Sequence, residues 1–375
     1  MRSSGWRAPT ERAPGLRGLR RLAGALLLPL LAACSAPDDP AALFDDYNAR
    51  LARVLESPLP PPAPVPAPAW PGARDLVLPV EDVRVGLRTF LKFDRCGLLH
   101  EISERNSGLG RVQPGSQRLL YEMRLLAGLR ACVEETHTAR DGDDEDARAF
   151  ADTVHDVLAV KTRDLPRSWW NATVASPELG HFLSVAAPPW RLDEAPATDG
   201  ALEALRQLAA LGNVLEGAPP PVDAFEALYA ALGAAPGGGR TWQGLALAIR
   251  ELDRGSALLE AQASRARLCP DGRPTPRAKR LHGVFDAMYV ARVQPWLSVN
   301  AREATALAEV LESLWEVPAA AGGTAAAARY RAATTHGTQA LLPRYTASVR
   351  RHALAWKSVL GPCGLAPRPP GTPGA

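Results

Sequence analysis

Five cysteines, Cys34, Cys96, Cys132, Cys269 and Cys363, are the residues of this 375-residue chain whose chemistry is easiest to anticipate. A thiol can close a disulfide, ligate a metal or accept an acyl group, and its setting decides which. Cys34 stands apart, behind Leu31-Ala32-Ala33 and a short apolar run. The remaining four are an even number, as a disulfide framework requires. Of their three pairings, proximity favours Cys96–Cys132 and Cys269–Cys363. The first would tie two consecutive helices. The second would pin the chain terminus to the turn Cys269-Pro270-Asp271-Gly272. No pair has the short spacing of a zinc site or a redox dithiol.

Polar side chains offer a second kind of chemistry. Glu104-Arg105-Asn106-Ser107-Gly108 joins a charge pair to an amide and a turn, four residues after His100. These residues, with Asn171 beside Trp169-Trp170, form the candidate polar site for a ligand or partner. The plainer reading of the first group is a helix end with Asn106 or Gly108 at positive φ. For Trp169-Trp170-Asn171 it is core aromatics beside a cap residue. Glu134-x-x-His137 and Glu178-x-x-His181 have the spacing of di-iron bundles, but such spacing is common and the first pair lies at a polar helix end. Asp141-Gly142-Asp143-Asp144-Glu145-Asp146 lacks the glycine and the final glutamate of a calcium loop, and reads as an acidic cap opening the helix at 146. No phosphate loop, dinucleotide fingerprint or Gly-x-Ser-x-Gly elbow is present. No metal, cofactor or catalytic constellation is expected.

The amino terminus supplies the sharpest pattern. Arg2, Arg7, Arg12, Arg17, Arg20 and Arg21 precede the apolar run Leu22–Leu31, which Pro29 interrupts. A basic segment, a short apolar core and small residues before a cleavage point make a secretory signal, too short to span a bilayer. Leu31-Ala32-Ala33-Cys34 resembles the bacterial lipoprotein box. That resemblance implies cleavage before Cys34 and acylation of its thiol and amine by chains such as palmitate. Several chains anchor far more durably than one. Ser35 follows where an aspartate would retain an enteric lipoprotein in the inner membrane, so the outer membrane, on its periplasmic face, is the expected location. Residues 1–33 carry six arginines and one glutamate, so their removal takes the net charge from +3 to −2. No retained basic face is left for a nucleic acid.

These residues need elements to hold them. Residues 40–56 place Leu43, Phe44, Tyr47, Leu51, Val54 and Leu55 on one side of a short helix. Residues 57–71 contain eight prolines, which favour an extended polyproline conformation. Together residues 34–71 read as a lipidated tether, the proline-rich part either a stiff spacer or a docking strip for a partner, or more plainly a wrapped or solvated linker. Helix periodicity then dominates: over 80–106 with a break near Cys96-Gly97, and over 116–134, 146–162, 199–216, 222–233, 240–268, 276–299 with a kink at Pro295, 301–316 and 324–360 split near Gly337 or Pro343. Only 74–79 and 182–186 hint at strands. The expectation is an all-α, irregular multi-helix bundle over 72–363, braced by two disulfides, with halves 72–190 and 198–363 and a tail at 364–375.

Cys96-Gly-Leu-Leu-His-Glu-Ile-Ser-Glu-Arg-Asn-Ser-Gly-Leu-Gly-Arg111 and Trp170-Asn-Ala-Thr-Val-Ala-Ser-Pro-Glu178 resemble segments of an uncharacterised family of proteobacterial lipoproteins, known as a domain of unknown function. The resemblance implies a helical envelope lipoprotein and no particular reaction. The expected role is a non-enzymatic binding or accessory module, attached to the membrane by lipid and meeting an envelope protein. Two alternatives stand: an envelope hydrolase of peptidoglycan or lipid built on His100, Glu104 and Arg105, and a carrier of a small apolar ligand.

Overall fold

A computed structural model describes residues 38–140, 143–265, 268–318 and 322–365. Cys34, the signal 1–33 and most of the expected tail lie outside the described residues. The described chain is helical without strands: α1 Pro40–Leu55, α2 Ala73–Leu76, α3 Leu87–Lys92, α4 Leu99–Asn106, α5 Gly108–Arg111, α6 Gly115–Thr136, α7 Glu145–Thr173, α8 Pro177–Phe182, α9 Asp199–Gly212, α10 Val222–Leu232, α11 Gly237–Arg265, α12 Pro276–Val284, α13 Gln294–Glu316, α14 Ala325–Thr334 and α15 Leu341–Leu360. The all-α expectation holds, and both disulfides pair as proximity suggested, Cys96–Cys132 and Cys269–Cys363.

Local sequence sets the helix starts. Asp39, Asp144, Ser176, Thr275 and Thr324 each accept a hydrogen bond from a first-turn N–H, opening α1, α7, α8, α12 and α14. α7 runs on past 162 through Pro166 to Thr173. Between α12 and α13 the backbone is π-helical over Phe285–Val293, ending two residues before Pro295. A proline has no N–H to give and crowds the carbonyl four residues back, so the regular helix gives way to a wider turn directly ahead of the position where a kink was expected. Neither strand hint survives: 74–79 opens as α2, and 182–186 holds the end of α8.

Two hydrophobic cores organise the bundle. The larger draws on α1 and on helices from α6 to α15, with Trp169, Trp170, Trp242 and Trp356 fully buried. α11 packs most extensively on α15, and also on α1 and α13. The expected halves are therefore not separate, because one core takes side chains from both sides of 187–198. The smaller core lies between α6, α7 and the Phe93–Leu98 segment.

Residues 40–71 are not a tether. Leu43, Phe44, Tyr47, Leu51 and Leu55 of α1 are at most 3% exposed. The last carbonyls of α1, at Val54 and Leu55, accept hydrogen bonds from the Arg277 guanidinium. The proline-rich strip is wrapped onto the domain. Leu59, Val65 and Trp70 rest against the larger core, and the Pro60 carbonyl accepts from Arg254 Nε at 2.9 Å. Trp70 stacks on Trp315 and meets Tyr330 edge-on.

Candidate functional site

The smaller core opens into a groove of about 1120 Å³. Its walls are α6, α7, α4 and the extended segment 80–86. α6 and α7 are consecutive helices with an eight-residue connection, packed as an antiparallel hairpin. One stripe of α6, at three- and four-residue spacing, reads Arg118, Glu122, Leu125, Leu129, Cys132. The facing stripe of α7 reads Phe150, Val154, Val157, Lys161, Asp164, Ser168. Run antiparallel, these stripes put the polar positions together at one end and the apolar positions at the other. The groove is therefore graded along its length.

The polar end is built around two anchored carboxylates. Glu122 and Lys161 meet at 2.9 Å with side chains only 11% and 18% exposed. Such a pair has lost most of its hydration and holds its geometry through the bond between its members. Burial opposes the charge on Asp164. Hydrogen bonds from the Glu81 N–H and from Arg163, with Arg167 alongside, outweigh it and hold that carboxyl below the usual range. Tyr121 is pushed up by burial, with Glu122 and Glu101 adding to it. Arg105 donates to the Gly110 carbonyl at 2.7 Å and lies 6.0 Å from the Tyr121 ring centroid.

The extended wall explains a misreading. Val80, Val83 and Leu87 have helical spacing, yet 80–86 is not helical. Its approach is held by side chains of α7 that serve as a sheet partner would. Asn171 Oδ1 accepts from the Leu78 N–H at 2.7 Å and Asn171 Nδ2 donates to the Leu78 carbonyl at 2.8 Å. Trp170 Nε1 donates to the Leu76 carbonyl and Asp164 takes the Glu81 N–H. Backbone groups satisfied this way have no need of a helix. On the opposite wall the Cys96–Cys132 bridge fixes the start of α4 to α6. Leu98 presses there on Gly128, where a Cβ would lie 2.4 Å from the leucine methyl.

Of the five sequence candidates, Arg105 and Asn106 line the groove. His100 and Glu104 are exposed and do not. Asn171 is the clamp on Leu78 rather than a cap. α4 ends at Asn106 without a left-handed residue there; Ser107 is extended and caps α5 through Gly110 N–H. Glu122, Lys161, Asp164, Arg111 and Arg118 were missed. The available signal was Lys161 and Asp164 continuing the apolar stripe Phe150–Val154–Val157, where polar types need buried partners.

A second polar cluster lies in the larger core, away from the groove. His352 is fully buried, with Nε2 2.6 Å from Tyr47 Oη and Nδ1 2.9 Å from Ser256 Oγ. Ser256 gives its proton to the Leu252 carbonyl, so it accepts from His352 Nδ1–H. Tyr47 accepts from Trp356 Nε1 and donates to the bare Nε2. This assignment leaves no proton in the chain without an acceptor. Burial pushes His352 down to about 3, so the ring is neutral. Gly255 makes room, since a Cβ there would sit 2.9 Å from both the His352 ring and Asn48. A serine and a histidine in contact resemble hydrolytic machinery, but these two are sealed in the core and act structurally.

No curated protein and no solved structure gives a match to this chain. A family model does, over residues 44–367, which contain the groove, the His352 cluster, both disulfides and all but the first turn of α1. Its description is "Protein of unknown function (DUF3080)", and this chain belongs to that family.

Proposed function

We propose that this chain is a lipid-anchored lipoprotein on the periplasmic face of a bacterial outer membrane. It acts as a non-enzymatic binding or accessory module of the envelope, with the graded groove as its binding site. The observation that carries this reading is the cysteine accounting. Four of the five cysteines pair with one another, which suits an oxidising compartment. These pairings leave no cysteine for the fifth, Cys34, to bond with, and it sits behind Leu31-Ala32-Ala33. An envelope protein is the proposed partner.

Of the residues named for the hydrolase alternative, Arg105 lines the groove and His100 and Glu104 do not, so the groove does not gather them into one site. The carrier alternative gains one observation: the inner end of the groove is walled by Phe93, Leu125, Leu129 and Val157. Mass spectrometry of the mature amino terminus, with membrane fractionation, tests the anchored reading. A diacylglyceryl-modified Cys34 in the outer-membrane fraction is expected, and Cys34→Ala should abolish both modification and fractionation. A mature terminus elsewhere, or an unmodified Cys34, would overturn the proposal.

A further inference from the structure

The charges along the groove do not balance, and the imbalance has a position. Each lining carboxylate has a cation: Glu81 meets Arg163, Asp82 meets Arg84, Glu122 meets Lys161, and Asp164 meets Arg163 and Arg167. Three lining guanidiniums have no carboxylate among the described residues. Arg105 rests on the Gly110 carbonyl, while Arg111 and Arg118 make neither an ion pair nor a side-chain hydrogen bond there. All three come from α4, α5 and the first turn of α6, which meet at the polar end. Guanidiniums without carboxylates beside a sheltered cavity favour an anion with several acceptor oxygens.

Away from them, past Glu122 and Lys161, the walls turn apolar: Val83, Val85, Phe90, Phe93, Leu125, Leu129 and Val157. Leu87 lines the groove while 72% exposed, and Leu109 and Val112, close to Arg111 in sequence, are 82% and 76% exposed. Large exposed apolar side chains gathered in one stretch of surface favour a contact site.

We infer that the groove binds a single-chain anionic amphiphile of the lysophosphatidate type, with the phosphate on Arg105, Arg111 and Arg118 and the acyl chain along the apolar end. A small polar anion would leave the apolar walls unused. A neutral lipid would leave the three guanidiniums without a counter-charge. This inference deepens the proposed binding role and rests on the groove being the binding site, but not on Cys34.

The test uses the full mature chain held in phosphatidylcholine nanodiscs and a lysophosphatidate probe with a diazirine at the end of its acyl chain. Crosslinks should map to the 125–132 segment of α6 and the 150–157 segment of α7. Arg111 and Arg118 are exposed, so R111Q/R118Q should keep the wild-type melting temperature. The double variant should cut labelling about tenfold or more, as the loss of two charge-assisted contacts implies. A monoacylglycerol probe with the same chain should label about tenfold less well, and glycerol 3-phosphate should not compete. Lengthening the acyl chain should raise affinity by up to about fourfold per methylene. Equal groove labelling by the neutral probe, or no effect of R111Q/R118Q, would overturn the anionic assignment and leave the groove a binding site. Labelling confined to other surfaces would overturn both. An unmodified Cys34 would overturn only the anchored reading.

Discussion

His352 draws its partners from three helices, with Tyr47 on α1, Ser256 on α11 and Trp356 on its own α15. Its pKa in the fold is about 3, against about 6.5 for an ordinary imidazole. Between these values the unfolded chain takes up a proton that the fold refuses, so acid favours unfolding. Stability should be unaffected by His352 above pH 6.5. It should fall by up to about 1.4 kcal/mol per pH unit below that. Asp164 and Glu260 are carboxyls held low, so their contribution is present above the carboxylate range and lost only below about pH 4. The window between pH 6.5 and about 4.5 therefore reports His352. Urea melts of the wild type should slope through it. His352→Leu should flatten the slope and lower stability at pH 7.5 by about 3 kcal/mol, since Tyr47 and Ser256 lose their partner. A wild-type curve level across that window would refute the neutral, sealed imidazole. No sequence signal pointed here. Tyr47 and His352 are 305 positions apart, and each looks like one more residue on an amphipathic helix.

At the scale of elements, periodicity was a good guide wherever a helix buries one face, as for α6, α9, α10 and α15. It failed where the hydrogen-bond partner of a backbone lay far away in sequence. Segment 80–86 keeps helical spacing, but Asn171 and Asp164 come from more than eighty residues downstream to hold it extended. Asn171→Ala removes both bonds to Leu78 and should cost about 2 kcal/mol. It should also loosen the groove wall, read as faster amide exchange over 76–86 than over α6. Asn171→Asp keeps the acceptor for the Leu78 N–H but sets a carboxylate against the Leu78 carbonyl, so it should not rescue. If the alanine variant exchanges like the wild type, the clamp is not what holds this wall. The disulfides divide similarly. Cys269–Cys363 closes the longer loop, spanning 94 positions against 36, so chain entropy gives it the larger effect, about 5 against about 4 kcal/mol. Paired serine variants measured by denaturant melts should keep that order. Only loss of Cys96–Cys132, which joins two groove walls, should also impair ligand labelling.

For the molecule as a whole, the misjudged feature was where the domain begins. A short helix followed by fifteen residues rich in proline has the composition of a leash, and composition cannot show which surface a strip lies on. The strip instead runs along α11, where Arg254 holds the Pro60 carbonyl and Arg265 donates to Ser57, and Trp70 closes against Trp315 and Tyr330. α1 beneath it fills a slot between α11, α12 and the π-helical turn, and contributes the Tyr47 hydroxyl to the His352 cluster. The two views make opposite predictions for a chain lacking residues 40–71. A leash can be cut out without changing the melting temperature. Removing α1 uncovers Leu43, Phe44, Tyr47, Leu51 and Leu55 contacts worth about 1.5–3 kcal/mol per side chain, together as large as the roughly 5–15 kcal/mol that holds an ordinary domain folded. The deletion should therefore yield a chain without a cooperative melt. A milder change, Trp70→Ala, should lower stability by about 3 kcal/mol while leaving α1 in place. A deletion variant melting like the full chain would return this segment to the role its composition suggested. An unfolded one means that any anchor at Cys34 meets the folded body within a few residues of Asp38, whose carbonyl already accepts from the Leu192 N–H.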